Sequence, residues 1–289
     1  MAYSVPIVPP ESREDCVYLC SAAEEASRFE DMVEYMRRVT TFEQELHIDE
    51  RNLFSVAYKE LVGLRRKSLR HLTDMGAALA PATEREQQLL DAMRARIRGE
   101  LIALCEEALL TIQENLLPRS VHAESTVFYH KMTADYLRYL AEFSAGGERR
   151  AYGDRAAEAY GRASALAEKL GATHPVRLGL ALNLSVFHFE IRSDVREAFE
   201  VAVHALDEAK EHFDEMEQAH AKDSMVVMQL LQDNIHLWSA AANDPQDDAE
   251  QHHAVSAMET TDGKNGIHAG VETPRVAASQ LQAEPLVAV

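Results

Sequence analysis

From about Glu11 to about Ser239, apolar residues recur every three or four positions, and the strict alternation of strands is absent. This pattern predicts helix after helix. Breakers cut the run at Thr40-Thr41, Gly76 to Pro81, Pro118-Arg119-Ser120, Gly146-Gly147, Gly171 to Pro175 and Ser193-Asp194. The pieces predict roughly nine helices, two of them long, over about 48–76 and 83–116. Short connections favour antiparallel neighbours. The stretches AAEAYGRASALAEKL and VREAFEVAVHALDEAKE carry small residues at packing positions, as tetratricopeptide helices do. No regular repeat of that length runs through the chain. The expected fold is therefore all-α, built of stacked antiparallel pairs around a concave face. Residues 1–12 read as a flexible arm and 13–240 as one helical domain. After Trp238 the chain turns polar, acidic and aperiodic, which predicts a disordered tail over 241–289.

Composition narrows the function classes. Hydrophobic residues make up 46% of the 289, enough for a substantial core, while 12 Gly and 9 Pro leave room for long helices. The net charge of -19 argues against a nucleic-acid backbone as the main partner. Three cysteines fit reduced thiols better than a disulfide framework. The start MAYSVPIVPPESRED lacks the basic and apolar parts of a signal peptide, and no run is apolar enough to span a bilayer. The expectation is a soluble cytoplasmic protein. Enzyme motifs are absent as well: no paired Cys or His zinc motif, no HExxH, no phosphate-binding glycine loop, no nucleophile elbow. Cys16 and Cys20, four apart, read as packing residues. His252-His253 falls in the tail and reads as solvated. No cofactor and no metal are expected.

Against this acidic background a few cations stand out. RNLFSVAYKELVGLRR reads as one helix that sets Lys59 and Arg66 seven residues apart, on nearly the same face. KMTADYLRYLAE repeats the arrangement with Lys131 and Arg138, and Tyr139 lies beside the arginine. Two such helices can jointly hold a phosphate. Asp135 and Glu142 lie three before and four after Arg138, within its reach on the helix surface, and read as groups that hold it in place. Asn183 and Asn234 occupy mid-helix positions of poor propensity, where an amide can donate and accept together. Leu182, Val186, Val227, Leu230, Leu237 and Trp238 form apolar stripes on the same two helices, for which core packing is the default reading.

Four segments in order carry a specific resemblance. RNLFSVAYKE and KDSMVVMQLLQDNIHLW are similar to the two signatures of the 14-3-3 family, and VFYHKMTADYLRYLAE and THPVRLGLALNLSVFHFEI to two further segments. The likeness runs from about residue 13 to about 240. It implies an all-helical, cup-shaped dimer that binds phosphoserine or phosphothreonine peptides of client proteins in an amphipathic groove and has no enzymatic activity. It puts Lys59, Arg66, Arg138 and Tyr139 around the phosphate, and Lys131, Glu190, Asn183 and Asn234 at the groove, the two asparagines on peptide backbone. It makes several of the apolar stripe residues one groove wall, with Trp238 near its end. The chemistry agrees: a phosphoserine carries nearly two negative charges and three acceptor oxygens, which guanidinium forks grip in bidentate fashion.

The resemblance also implies a dimer interface. Arg28 would pair with Glu100, and Asp31 with Arg96, across subunits. Ala22, Ala26, Leu72, Met75 and Met93 would supply its apolar part, although the family more often has a larger aliphatic residue at Ala22 and a tyrosine at Met93. Partners would be the same chain or paralogues, with localisation reaching the nucleus through clients. Ser68, after Arg65-Arg66-Lys67, has a basic context some kinases prefer and matches a serine near the interface. Gln232, Met225 and Ala221 depart from the second signature, Phe189 and Leu137 stand for customary tyrosines, and Glu60 stands for an asparagine. None of these is a phosphate ligand. Gln232 removes a cation near the groove, so acidic flanks on a client should be less favoured. A rival reading from the residues alone is a tetratricopeptide-like scaffold for unphosphorylated peptides.

Overall fold

The computed structural model describes residues 9–78 and 83–243. Most of the expected arm, and the expected tail from Asp244 on with His252-His253, lie outside the described residues. Among the described residues there are nine α-helices and no strand: α1 (Arg13–Glu25), α2 (Phe29–Val39), α3 (Ile48–Ala78), α4 (Glu84–Thr111), α5 (Ala123–Glu142), α6 (Gly146–Ala167), α7 (Pro175–Glu190), α8 (Val195–Glu211) and α9 (Ala221–Asn243).

The caps explain the starts. Ser12 and Asp15 close a capping box on α1, and Thr83 and Glu86 do so on α4. Asp194 accepts from the Glu197 amide to open α8, and Pro175 occupies the first turn of α7, where its missing N–H costs nothing. Beyond α4 the chain widens into a π-helical turn, Ile112–Leu116, and tightens into a 3-10 turn, Leu117–Arg119, around Pro118. Two breaks carry no glycine or proline and escaped the breaker pattern. One lies between α1 and α2, where Ser27 takes a positive φ of 54°. The other runs from His212 to His220 between α8 and α9. Both are set by packing on either side rather than by a local signal.

Each helix packs on its neighbours in sequence, and α5, α7 and α9 also lie side by side. One apolar core joins α1 to α7, and a second joins α7, α8 and α9. The closest pairing is α5 with α6. Its cause is legible in α6: Ala156, Ala159, Ala163 and Ala167 form a buried stripe that lets the two backbones approach. This approach brings Tyr160, also buried, across to α5. Ala159→Leu would force extra methylenes into that contact. It is expected to cost roughly 1–3 kcal/mol by urea denaturation, and an unchanged midpoint would mean the helices are not held apart by side-chain size at all.

Candidate functional site

The cations picked out by their spacing meet where α3 and α5 face each other. Arg66 and Arg138 are almost wholly buried, 7% and 3% exposed. Tyr139 brings them together: the Arg66 guanidinium lies 4.0 Å from its ring centroid and that of Arg138 4.6 Å. Lys59 lies two turns before Arg66 on α3, half-buried, and Lys131 two turns before Arg138 on α5.

Three carboxylates hold these cations, and they divide the work differently from the sequence expectation. Glu142 was expected to steady Arg138 from its own helix. Instead it crosses to α3, where it accepts from the Arg66 Nε at 2.8 Å and from Arg70. Arg138 still acts on the carboxylate through its charge, but the hydrogen bonds to Arg66 and Arg70 run to the facing helix. Asp135 approaches the Arg138 terminal nitrogen only to 3.9 Å. Its main bonds are from Lys131 Nζ (2.8 Å), the Tyr160 hydroxyl (2.6 Å) and the Asn183 side-chain amide (2.9 Å). Arg138 itself donates to Glu190 and to the Tyr160 hydroxyl, each at 3.3 Å.

Two residues at this centre were not expected. Arg70 is four after Arg66, so helical spacing alone would have found it. Tyr160 comes from α6, and no local pattern connects it with Arg138. Burial, followed by the neighbouring Asp135, pushes its phenol well above the ordinary value, so it remains a hydrogen-bond donor at any physiological pH.

Arg66 and Arg70 pair with Glu142, Lys131 with Asp135 and Arg138 with Glu190, so the centre gathers cations of two helices onto three carboxylates. Glu142 takes the Nε–H of Arg66 and leaves its two terminal nitrogens for a ligand. Beside this centre, α7 and α9 bear the two asparagines. Asn183 donates to Asp135, as above. Asn234 has no exposed surface, and neither its side-chain nitrogen nor its oxygen has a partner among the described residues. Leu182, Val186, Val227 and Trp238 are buried in the second apolar cluster, with Leu230 and Leu237 half-buried against it. Trp238 stacks on Phe189, ring centroids 5.5 Å apart, and its indole nitrogen is buried without a partner.

The residues expected at a dimer interface lie on or beside α1 to α4. Ala22, Ala26, Met75 and Met93 are exposed and Leu72 is half-buried. Arg28 pairs with Asp31, and Arg96 with Glu100 at 3.8 Å, all within one chain. Arg65 also reaches Glu100 at 3.4 Å. Ser68 is exposed, with its hydroxyl donating to the Leu64 carbonyl at 2.8 Å. Gln232 and Met225 are exposed, while Leu137 is buried in the main core. Among the described residues no His, Cys, Asp and Glu group is arranged to hold a metal, and no helix is long and apolar enough to cross a membrane.

Comparison with known proteins points one way. The family model for 14-3-3 protein matches residues 19–239. The chain is 42% identical to 14-3-3 protein 3 of Entamoeba histolytica over 238 residues, 82% of this chain and 99% of that one. It is 44% identical to checkpoint signal transducer rad24 of Schizosaccharomyces pombe over 233 residues, 80% and 86% of the two chains. It is 43% identical to 14-3-3-like protein GF14 epsilon of Arabidopsis thaliana, over 82% and 94%.

The buried network makes an acid-sensitive prediction. Burial alone would raise the Glu142 carboxyl, but Arg66, Arg70 and Arg138 outweigh it and hold it below the ordinary value of 4.5. Its contribution to stability is therefore full above that ordinary value and is lost as pH falls through the lower folded value. Glu142→Gln keeps the volume and removes the charge. It is expected to destabilise the protein by roughly 3 kcal/mol near neutral pH and to flatten the acid limb of the stability curve. Urea melts between about pH 3 and 7 read both effects.

Proposed function

We propose, from the premise that the chain belongs to the 14-3-3 family, that its α3–α5 centre grips the phosphate of a phosphoserine or phosphothreonine peptide. Family membership makes the protein a regulatory adaptor and not an enzyme. The observation that carries the finer reading is the pair of nearly buried guanidinium groups, Arg66 and Arg138, drawn together from two helices on the Tyr139 ring. Such a pair suits the roughly -1.5 to -2 charge of a phosphoryl group. A plain serine hydroxyl offers neither that charge nor its acceptor oxygens, so the site would discriminate on phosphorylation. Arg66 and Arg138 supply the forks, Lys59 and Lys131 point charge, and the Tyr139 hydroxyl a further donor. Asp135, Glu142 and Glu190 keep the cations apart and aimed while no ligand is bound.

The peptide main chain would run beside this centre. Asn234, buried with both halves of its amide unpartnered, is suited to a backbone N–H and C=O; leaving such a group unsatisfied costs about 1–3 kcal/mol. Asn183 stands on the neighbouring helix, and Leu230 and Leu237 offer half-buried apolar surface. The peptide lies extended between a charged and an apolar wall. We place the protein in the cytoplasm, and in the nucleus with its clients.

Fluorescence anisotropy with an Arg-x-x-phosphoSer-x-Pro peptide and its unphosphorylated twin tests the site. Only the phosphorylated form should bind, and the Arg66→Ala, Arg138→Ala variant should weaken it roughly hundredfold or more. Equal binding of both peptides, or binding that survives the variant, would put a phosphate-independent scaffold in place of this reading.

Family membership supports a dimer, and we propose that it forms through Ala22, Ala26, Leu72, Met75 and Met93, with Arg28 to Glu100 and Asp31 to Arg96 across subunits. Two joined sites raise the effective concentration of a second phosphate on one client. Reversing Arg28 and Asp31 together should shift sedimentation toward the monomer, and reversing Arg96 and Glu100 in the same chain should restore the dimer. Phosphorylating Ser68 would set an unpaired dianion at that interface, so Ser68→Asp should also favour the monomer. An unchanged mass in either experiment counts against the corresponding contact.

A further inference from the structure

The helices leave an unfilled cleft on the face of α7 away from the phosphate centre. α6 packs on α5 and α7, and α8 packs on α7 and α9, but α6 and α8 barely meet. The gap between them encloses a cavity of about 370 Å³. Small side chains make it deep: Ala167 and Ser164 on α6, Ala181 on α7 and Ala205 on α8. Leu180 and Leu184 form the floor, and Val201 the wall toward α8. Ala181, Leu184, Val201 and Ala205 all keep some exposure. By helical periodicity Ala181 and Leu184 lie on the opposite side of α7 from Asn183, Val186 and Glu190. The cleft and the phosphate centre are therefore independent surfaces.

Its rim is acidic. Glu168 stands on α6, and Glu197, Glu200 and Glu208 on α8. A second depression shares Glu200, His204 and Glu208 and continues past Asp207 and Glu211. The arginine in the cleft, Arg177, is already held by both oxygens of Glu208, at 2.6 and 2.7 Å. Arg196 pairs with Glu200 from the exposed side of α8, and Lys210 with Asp207. No ion pair neutralises Glu168, Glu197 or Glu211 among the described residues.

We propose that this cleft docks a basic amphipathic helix of a partner protein. Leu180 and Leu184, and Val201 and Ala205, are pairs spaced by four along their helices. They line the cleft as apolar rows on two helices, against which a third helix can set its own ridge. The lining on α8 runs from Glu197 to Glu208, about 16 Å at 1.5 Å per residue, which matches some three turns of the partner. Such a helix places apolar anchors at i, i+3 or i+4, and i+7 on the floor and lysines or arginines along both rims. The client of the phosphate centre would thus have a second, sign-reversed handle on the same protomer.

The test uses the full chain and a fluorescein-labelled helical peptide of repeating Leu-Lys-Lys-Leu, read by anisotropy. Its probes of the mechanism are a Leu-Glu-Glu-Leu twin and a peptide of the same composition with the leucines scattered. Binding of the first peptide alone is expected. Glu168→Gln, Glu197→Gln and Glu200→Gln together should weaken it about tenfold, as three rim charges of modest strength would. The same neutralisation at exposed, remote Glu43, Glu106 and Glu114 should leave it within about twofold. Ala205→Phe, checked for fold by circular dichroism, should fill the cleft and block the peptide. Equal loss in the remote variant, equal binding of the scattered peptide, or displacement by the phosphopeptide would each overturn the proposal, the first two by showing diffuse attraction to an acidic chain and the third by placing the peptide at the other site.

Discussion

Everything at the centre of this molecule depends on two carboxylates, buried Asp135 and half-buried Glu142, set among cations of two helices. A guanidinium in a low-dielectric interior is costly unless its donors are satisfied and its charge is met. Glu142 meets Arg66 and Arg70 and so ties α3 to α5. Asp135 meets Lys131, Tyr160 and Asn183 and so ties α5 to α6 and α7. Four helices converge on two carboxylates. The same contacts hold the Arg66 and Arg138 guanidinium groups side by side on Tyr139, so stability and the proposed recognition rest on one electrostatic arrangement.

That arrangement needs close helix packing to work. Tyr160 touches both Asp135 and Arg138 only because the alanine stripe on α6 lets its backbone lie against α5. A larger residue at one of those alanines would move a hydroxyl away from two charged partners as well as crowd the core. Its phenol, kept protonated by burial, gives Asp135 a donor that does not add to the positive charge. The small residues of α6 therefore act on the site without touching it.

The sequence made some of this legible and hid the rest for a physical reason. Helices, caps and the repeated spacing of Lys59 with Arg66 and Lys131 with Arg138 are local, and local patterns are what a chain displays. The break at Ser27 and the one after Glu211 were hidden because no residue there demands a turn; the packing of adjacent helices does. Glu142 was assigned to one of the three arginines that act on it for a related reason. Its neighbour four residues back on the same helix is visible in the chain, while its partners 72 and 76 residues away are not. Arg70 was within reach of the spacing argument, whereas Tyr160 had no signal short of the fold. The asparagines could be noticed as poor helix formers, but only the fold separates Asn183, bonded to Asp135, from Asn234, whose amide finds no partner among the described residues.

A chain of net charge -19 that holds a positive centre sets the range at which a ligand is recognised. At physiological ionic strength the surface charge is screened beyond about 8 Å. On the proposed function, a phosphopeptide would approach a protein that repels it weakly at a distance and attracts it at contact, where the arginines are buried and poorly screened. Basic residues beside the phosphate would ease that approach and acidic ones hinder it, so the flanks of a client would sort ligands by rate and the phosphate by affinity. Exposed Gln232, where the family resemblance leads one to expect a cation, would act in the same direction. The acidic surface would then be part of the selectivity of the cationic centre it surrounds.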